Sequence, residues 1–226
     1  MAASMSLLWG VGSTPCWRVM ITLEEKQLQG YKSKLLSYDK EELQSPEVLK
    51  INPRAQLPTF KHGDNIVNES CGACLYLENQ FKLQGTKLIP DSTEEQALMY
   101  QRMMEGANLT EIIHRVVYFQ WFFLNEEERH DSALKRFREA LVTELKLWER
   151  YLEEVAEGSY LAGAFSLADV VVFTNIAYAF RFGLSFERYP ILTKYYNLLK
   201  DRPSIKATWP PRWTDSPNGY EALKDI

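Results

Sequence analysis

The spacing of apolar residues divides the chain into two parts with different rhythms. Up to about Leu83, short apolar runs alternate with stretches at helical spacing; from Thr93 onward only the helical spacing remains. Leu7-Leu8-Trp9 predicts a short strand, followed by a turn rich in Gly, Ser and Thr from Gly10 to Pro15. Pro15 suits the first turn of a helix. Val19, Ile21, Leu23 and Leu28 line its buried side, and Gly30 is its expected stop. Tyr31 to Tyr38 reads as a second strand, and Gln44 to Ile51 as a short helix broken by Asn52-Pro53. Leu57-Pro58-Thr59-Phe60 and Asn65-Ile66-Val67 flank His62-Gly63-Asp64, whose residue types make a hairpin turn. Glu69-Ser70 then opens a helix that runs to about Leu83.

Past a linker from Gly85, Asp91-Ser92-Thr93 signals a helix start, and residues 93–124 form one long helical stretch. In a second, Leu134, Phe137, Leu141, Leu145, Trp148, Leu152 and Val155 step by three and four residues along one stripe. Ser166 to Phe182 is apolar on all sides and is expected at the centre of its domain. Ser166-Leu167-Ala168-Asp169 reads as a capping box with Asp169 in place of the usual Glu or Gln. The tail from Thr208 contains three prolines and is expected to be irregular. The order strand, helix, strand, helix, hairpin, helix is that of a thioredoxin-like sheet with a parallel and an antiparallel half. The expected fold is therefore an α/β thioredoxin-like N-terminal domain (1–84), a linker (85–92) and an all-α helical domain (93–226).

Composition removes several function classes. With 226 residues, 46% of them hydrophobic and 25% charged, the chain can bury a sizeable core. A net charge of −4 offers no basic footprint for nucleic acid or an anionic membrane. The richest apolar run, Tyr118 to Leu124, is interrupted by Gln120 and is far too short to span a bilayer. Met1 to Gly12 lacks the basic start and apolar core of a signal peptide. Three cysteines, an odd number, argue for free thiols in a reducing compartment, so a cytoplasmic location is expected.

Ser13-Thr14-Pro15-Cys16 sits where the first strand turns into the first helix, the place of C-x-x-C in thioredoxin-like redox proteins, but a hydroxyl replaces the first thiol. A helix N-terminus offers unpaired N–H groups and a positive dipole end, and a serine there can donate to a bound thiolate. Both lower a thiol's pKa, which suits a site that activates another molecule's thiol. The plainer reading is that Ser13 only caps the helix. Leu57-Pro58 at a strand start is either a trans proline on an edge strand or a cis bond that turns the Leu57 N–H and C=O outward, toward an extended peptide. Glu69-Ser70 is either an N-cap pair or a socket for a free α-amino acid end, with carboxylate for ammonium and hydroxyl plus helix N–H groups for carboxylate. Cys71-Gly72-Ala73-Cys74 lies away from the redox position and reads as a pair of structural thiols; His62, His114 and His130 lack ligand spacing, so no metal is expected.

Taken in order, Ser13-Thr14-Pro15-Cys16-Trp17-Arg18, Asn52-Pro53-Arg54-Ala55-Gln56-Leu57-Pro58, Glu69-Ser70 and Ser166-Leu167-Ala168-Asp169 resemble the cytosolic glutathione transferases. Tyr189-Pro190 and Arg202-Pro203-Ser204-Ile205-Lys206 resemble that family's closing segment. The N-terminal segment looks most like the serine-type theta and zeta classes, and the whole chain most like the rho class of aquatic animals. The tyrosine-type mechanism does not carry over, because the nearest aromatic at the end of the first strand is Trp9, which has no hydroxyl.

The resemblance implies that Ser13 donates to the glutathione sulfur, that Leu57 before a cis Pro58 pairs with the cysteinyl residue, and that Glu69 and Ser70 hold the γ-glutamyl end. It implies Gln56 for the glycyl end, with Gln44 or Lys40 as a further candidate for its carboxylate. A hydrophobic electrophile would sit over Val11-Gly12, with Tyr118, Trp121 and Phe122 as an aromatic wall, unless those three simply pack a core. Glu105 could reach a partner subunit's γ-glutamyl group in a homodimer. Glutathione is a co-substrate here and no other cofactor is implied. The expected activity is detoxification by glutathione transfer; the competing readings are a glutathione-dependent isomerase and a non-catalytic interaction module of the same fold, and the intact Ser13, Leu57-Pro58 and Glu69-Ser70 set favours a working site over the module.

Overall fold

The computed structural model describes residues 4–38, 40–119, 125–156, 158–211, 213 and 221–226. In chain order the elements are β1 (Met5–Gly10), α1 (Thr14–Glu25), β2 (Lys32–Leu36), α2 (Pro46–Ile51), β3 (Thr59–His62), β4 (Asn65–Val67), α3 (Ser70–Gln80), α4 (Thr93–Val117), α5 (Asp131–Glu153), α6 (Leu167–Arg181), α7 (Pro190–Leu199) and α8 (Pro203–Ala207). They fall into two compact units, Met1–Ile89 with Arg202–Asp215, and Pro90–Asp201 with Ser216–Ile226. Residues 202–215 thus belong with the first unit, whereas the sequence reading placed them in a helical domain continuous from 93. Contacts distant in sequence hold the start of this segment: Arg202 Nε and Nη2 donate to the Glu25 carboxylate at 2.6 and 2.8 Å, and the Ser204 hydroxyl donates to it as well.

The sheet of the first unit has the order β2-β1-β3-β4. β1 and β2 run parallel, while β1–β3 and β3–β4 are antiparallel. This is the mixed sheet that the element order predicts. Leu8, Leu36 and Val48 form a small core under α2, with Leu57 packed against it. On the other face α1 packs against α3. α1 ends well before the expected stop at Gly30, because Lys26 is drawn inward. Its ammonium is fully buried, 2.7 Å from Glu78 and 2.9 Å from the Thr86 carbonyl, and the next residue, Gln27, turns to φ 53°. β2 is likewise shorter than the Tyr31–Tyr38 run.

The second unit is built around α6, in which every residue from Leu167 to Phe180 is buried, as its unbroken apolar pattern predicts. Asp169 anchors its start: one oxygen accepts from the Ser166 N–H at 3.0 Å, and the other from the Leu161 N–H at 3.1 Å and the Tyr195 hydroxyl at 3.0 Å. Burial nevertheless pushes the Asp169 carboxyl up to about 6, despite these hydrogen bonds. α4 crosses α6 closely at Gly106, whose carbonyl accepts from Asn175 Nδ2 at 2.6 Å. Among the described residues, no helix is long and apolar enough to cross a membrane.

Candidate active site

The sheet register brings the chemically distinctive segments of the first unit to one end. Leu8 on β1 lies opposite Thr59 on β3, and Phe60 on β3 lies opposite Val67 on β4. The C-terminal end of β1, the residues before β3 and the start of α3 therefore share that end, and the N-terminus of α1 follows directly from β1. Gly12 allows the tight turn between them, with φ +76°, a backbone conformation that favours glycine.

Ser13 is the N-cap of α1, and its Oγ accepts from the Cys16 N–H at 3.3 Å. Capping and activation are thus compatible: the cap uses one acceptor lone pair and leaves the hydroxyl proton to be donated elsewhere. The neighbouring Thr14 hydroxyl is buried without a hydrogen-bond partner among the described residues, so half-buried Ser13 is the one exposed to an incoming group. Cys16 is not a nucleophile. Burial pushes its thiol up to about 11, against the lowering effects of Ser13, Gly10 and Arg18.

Asn52 shapes the approach to β3. Its side chain donates to the Gln56 carbonyl at 2.6 Å and to Thr59 Oγ1 at 3.2 Å, and accepts from the Arg54 N–H at 3.2 Å. The Leu57–Pro58 bond is cis. Among the described residues, the N–H and C=O of half-buried Leu57 hydrogen bond to nothing. The Gln56 side chain is exposed.

Glu69 is the exposed N-cap of α3 and Ser70 its first, buried residue. Arg18 from α1, only 3% exposed, donates from Nη1 to Ser70 Oγ at 3.3 Å. Burial lowers the Arg18 guanidinium from its ordinary value, while the nearby thiols of Cys71, Cys74 and Cys16 act in the opposite direction. A positive charge therefore stands behind the N-terminus of α3, where the helix dipole has the same sign. The sequence reading quoted Arg18 and Asn52 within motifs but gave them no role. The available signal was a charged residue on an otherwise apolar helix, and an Asn at the head of a Pro-containing loop.

The other expected residues stand on further elements. Gln44 lies exposed in a 3₁₀ turn before α2, and Lys40 is also exposed. Tyr118 caps the C-terminal end of α4; its hydroxyl accepts from Tyr178 at 2.7 Å and its ring packs on His114. Trp121 and Phe122 lie outside the described residues. Glu105 is paired with Arg102 at 2.7 Å within α4. Cys74 is buried, its thiol pushed up to about 12 by burial, and Thr22 donates to its sulfur at 3.2 Å. Among the described residues, no group of three or more His, Cys, Asp or Glu is placed to hold a metal ion.

Comparison with known proteins gives this geometry a family. Residues 11–85 match the glutathione S-transferase N-terminal domain, and residues 113–208 the glutathione S-transferase C-terminal domain. The chain is 62% identical to glutathione S-transferase A of Pleuronectes platessa, over 100% of both chains. Among solved structures, a glutathione S-transferase from the Antarctic clam Laternula elliptica shares 37% identity with a TM-score of 0.84, covering 98% of this chain and 99% of that one. A Phanerochaete chrysosporium glutathione transferase, solved in complex with oxidized glutathione, shares 25% identity with a TM-score of 0.79, covering 94% and 97%. With both domain models matched and a full-length relative at this identity, the chain belongs to the glutathione S-transferase family.

Proposed function

We propose that this glutathione S-transferase is of the serine type: Ser13 activates the glutathione thiol for attack on hydrophobic electrophiles. The observation that carries the reading is the Ser13 hydroxyl, which caps α1 with a lone pair and keeps its proton for a sulfur at the same helix end. Leu57 presents a backbone N–H and C=O without hydrogen-bond partners among the described residues at that end of the sheet, suited to the cysteinyl backbone of an extended peptide. Glu69 takes the γ-glutamyl ammonium, and Ser70 with the first N–H groups of α3 takes its carboxylate. Gln56 faces the glycyl end, with Gln44 or Lys40 as further candidates.

The thiol proton leaves to solvent. The thiolate then forms a carbon–sulfur bond, either displacing a leaving group that departs with its bonding pair or adding to an activated alkene, whose π pair becomes an enolate that takes a proton from solvent. A drop of about two pKa units on the thiol corresponds to roughly 2.7 kcal/mol in favour of thiolate. The electrophile lies over Val11-Gly12. The active form is a cytoplasmic homodimer that clears reactive apolar compounds; the free thiols suit a reducing compartment. Steady-state conjugation of glutathione to an aryl halide and to an alkenal, wild type beside Ser13→Ala, tests the reading. Turnover should fall by about a hundredfold with little change in glutathione affinity; full activity in the variant would overturn it.

A further inference from the structure

A cavity of about 200 Å3 lies wholly within the first unit; Gly12 and Ser13 form one side of it, so it adjoins the proposed thiol site, and the thiol chemistry above gives its aromatic and acidic lining no role. Its walls are aromatic and soft: Trp9 from β1, Trp17 and Met20 from α1, Tyr31 ahead of β2, and Trp209 after α8. Trp9 donates its indole N–H to Ser33 Oγ at 3.3 Å, and Trp17 to Thr208 Oγ1 at 2.9 Å. Both indoles are held in place with their single donor used, so what they offer a ligand is π surface. Trp17 and Trp209 meet edge to face, centroids 5.1 Å apart.

Glu24 is the sole carboxylate among the described lining residues, and no Lys or Arg is among them. Gln29 donates to one Glu24 oxygen at 2.9 Å; the other has no hydrogen-bond partner among the described residues. Burial, and then the negative charge of Glu24, raise the Tyr31 hydroxyl above its ordinary value, so Tyr31 stays a neutral ring beside the acid.

Aromatic faces carry the negative side of a quadrupole and attract a cation within about 6 Å of the centroid. A carboxylate in the same cavity acts in the same direction, and an anion is repelled by both. The volume suits a single head group, since sites for whole drug-sized ligands span roughly 300–1,000 Å3. We propose that this cavity binds a compact organic cation, a quaternary or alkylated ammonium group, on the rings of Trp9 and Trp209 with Glu24 as counter-ion. The inference does not depend on thiol activation by Ser13.

The test titrates the full chain with choline and, separately, with its uncharged isostere 3,3-dimethyl-1-butanol, following tryptophan fluorescence. Choline should bind saturably and at least about tenfold more tightly than the alcohol. Glu24→Gln should bring the two affinities together, and Trp209→Leu should weaken choline more than the alcohol. Glutathione binding to Glu24→Gln, measured by calorimetry, should match wild type and so report an intact fold. Equal wild-type affinities, no saturable choline signal, or a cation preference that survives Glu24→Gln would each overturn the proposal.

Discussion

Replacing Arg18 with Met removes two contributions to carboxylate binding at once. The Nη1–Ser70 Oγ bond at 3.3 Å fills a lone pair on Ser70 and leaves that hydroxyl to donate to a ligand at the start of α3. Behind it stands a full positive charge on a side chain 3% exposed, where solvent screens little. A hydrogen bond assisted by charge contributes about 1.5–3 kcal/mol. Glutathione affinity should therefore fall by roughly 10- to 100-fold in Arg18→Met. The loss should be specific to the group bound there. A glutathione analogue whose γ-glutamyl α-carboxylate is an amide should bind wild type weakly and lose little more in the variant. Arg18→Lys, which keeps the charge but not the planar fork, should recover part of the loss. Calorimetric titration of both ligands into the three proteins separates the cases. If Arg18→Met weakens both ligands by the same factor, Arg18 is a packing residue, and if it weakens neither, the electrostatic argument fails.

Three further outcomes follow from the packing and the titrating groups. Gly106→Ala gains helix propensity, but its Cβ would stand 2.6 Å from Val172 Cγ2, so chemical denaturation should show a net loss of about 1–3 kcal/mol; a more stable variant would mean that α4 and α6 move apart freely. Burial alone would raise the Glu25 carboxyl, but hydrogen bonds from Arg202, Ser204 and Thr86 outweigh it and hold the group below its ordinary 4.5. Its contribution to stability is thus fully present above that value and lost as pH falls through the lower folded value, so the Tm gap between wild type and Glu25→Gln should close on acidification and stay constant from pH 6 to 8. Cys16→Ala should leave conjugation rates unchanged, because a thiol pushed up to about 11 carries no nucleophile at neutral pH; a large drop in kcat would contradict that assignment.

The parts of the fold visible in the sequence are those fixed by local pattern. The unbroken apolar run of α6, the Ser166–Asp169 cap and the His62-Gly63-Asp64 hairpin turn each depend on neighbours close in the chain. What stayed hidden depends on distant partners. Nothing near Lys26 announces that Glu78 will draw it inward and end α1 early, and nothing in Arg202-Pro203-Ser204 announces that Glu25 holds that segment to the first unit. At the candidate site, Ser13, Leu57-Pro58 and Glu69-Ser70 were legible because each pairs an unusual residue with an element boundary. Arg18 was not, since its meaning comes from a bond to a residue on another helix. The Trp9–Trp209 cavity was hidden for the same reason: its walls come from four separate segments.

The central claim is that the Ser13 hydroxyl stabilises a bound thiolate. Its most direct test is the pKa of glutathione bound to wild type and to Ser13→Ala, read from the ultraviolet absorbance of the thiolate at saturating ligand. The account predicts a bound thiol about two units below an ordinary thiol near 8.5 in the wild type, and a return most of the way in the variant with affinity retained. The same depressed pKa in both proteins would contradict it and leave the N-terminus of α1 as the activating group.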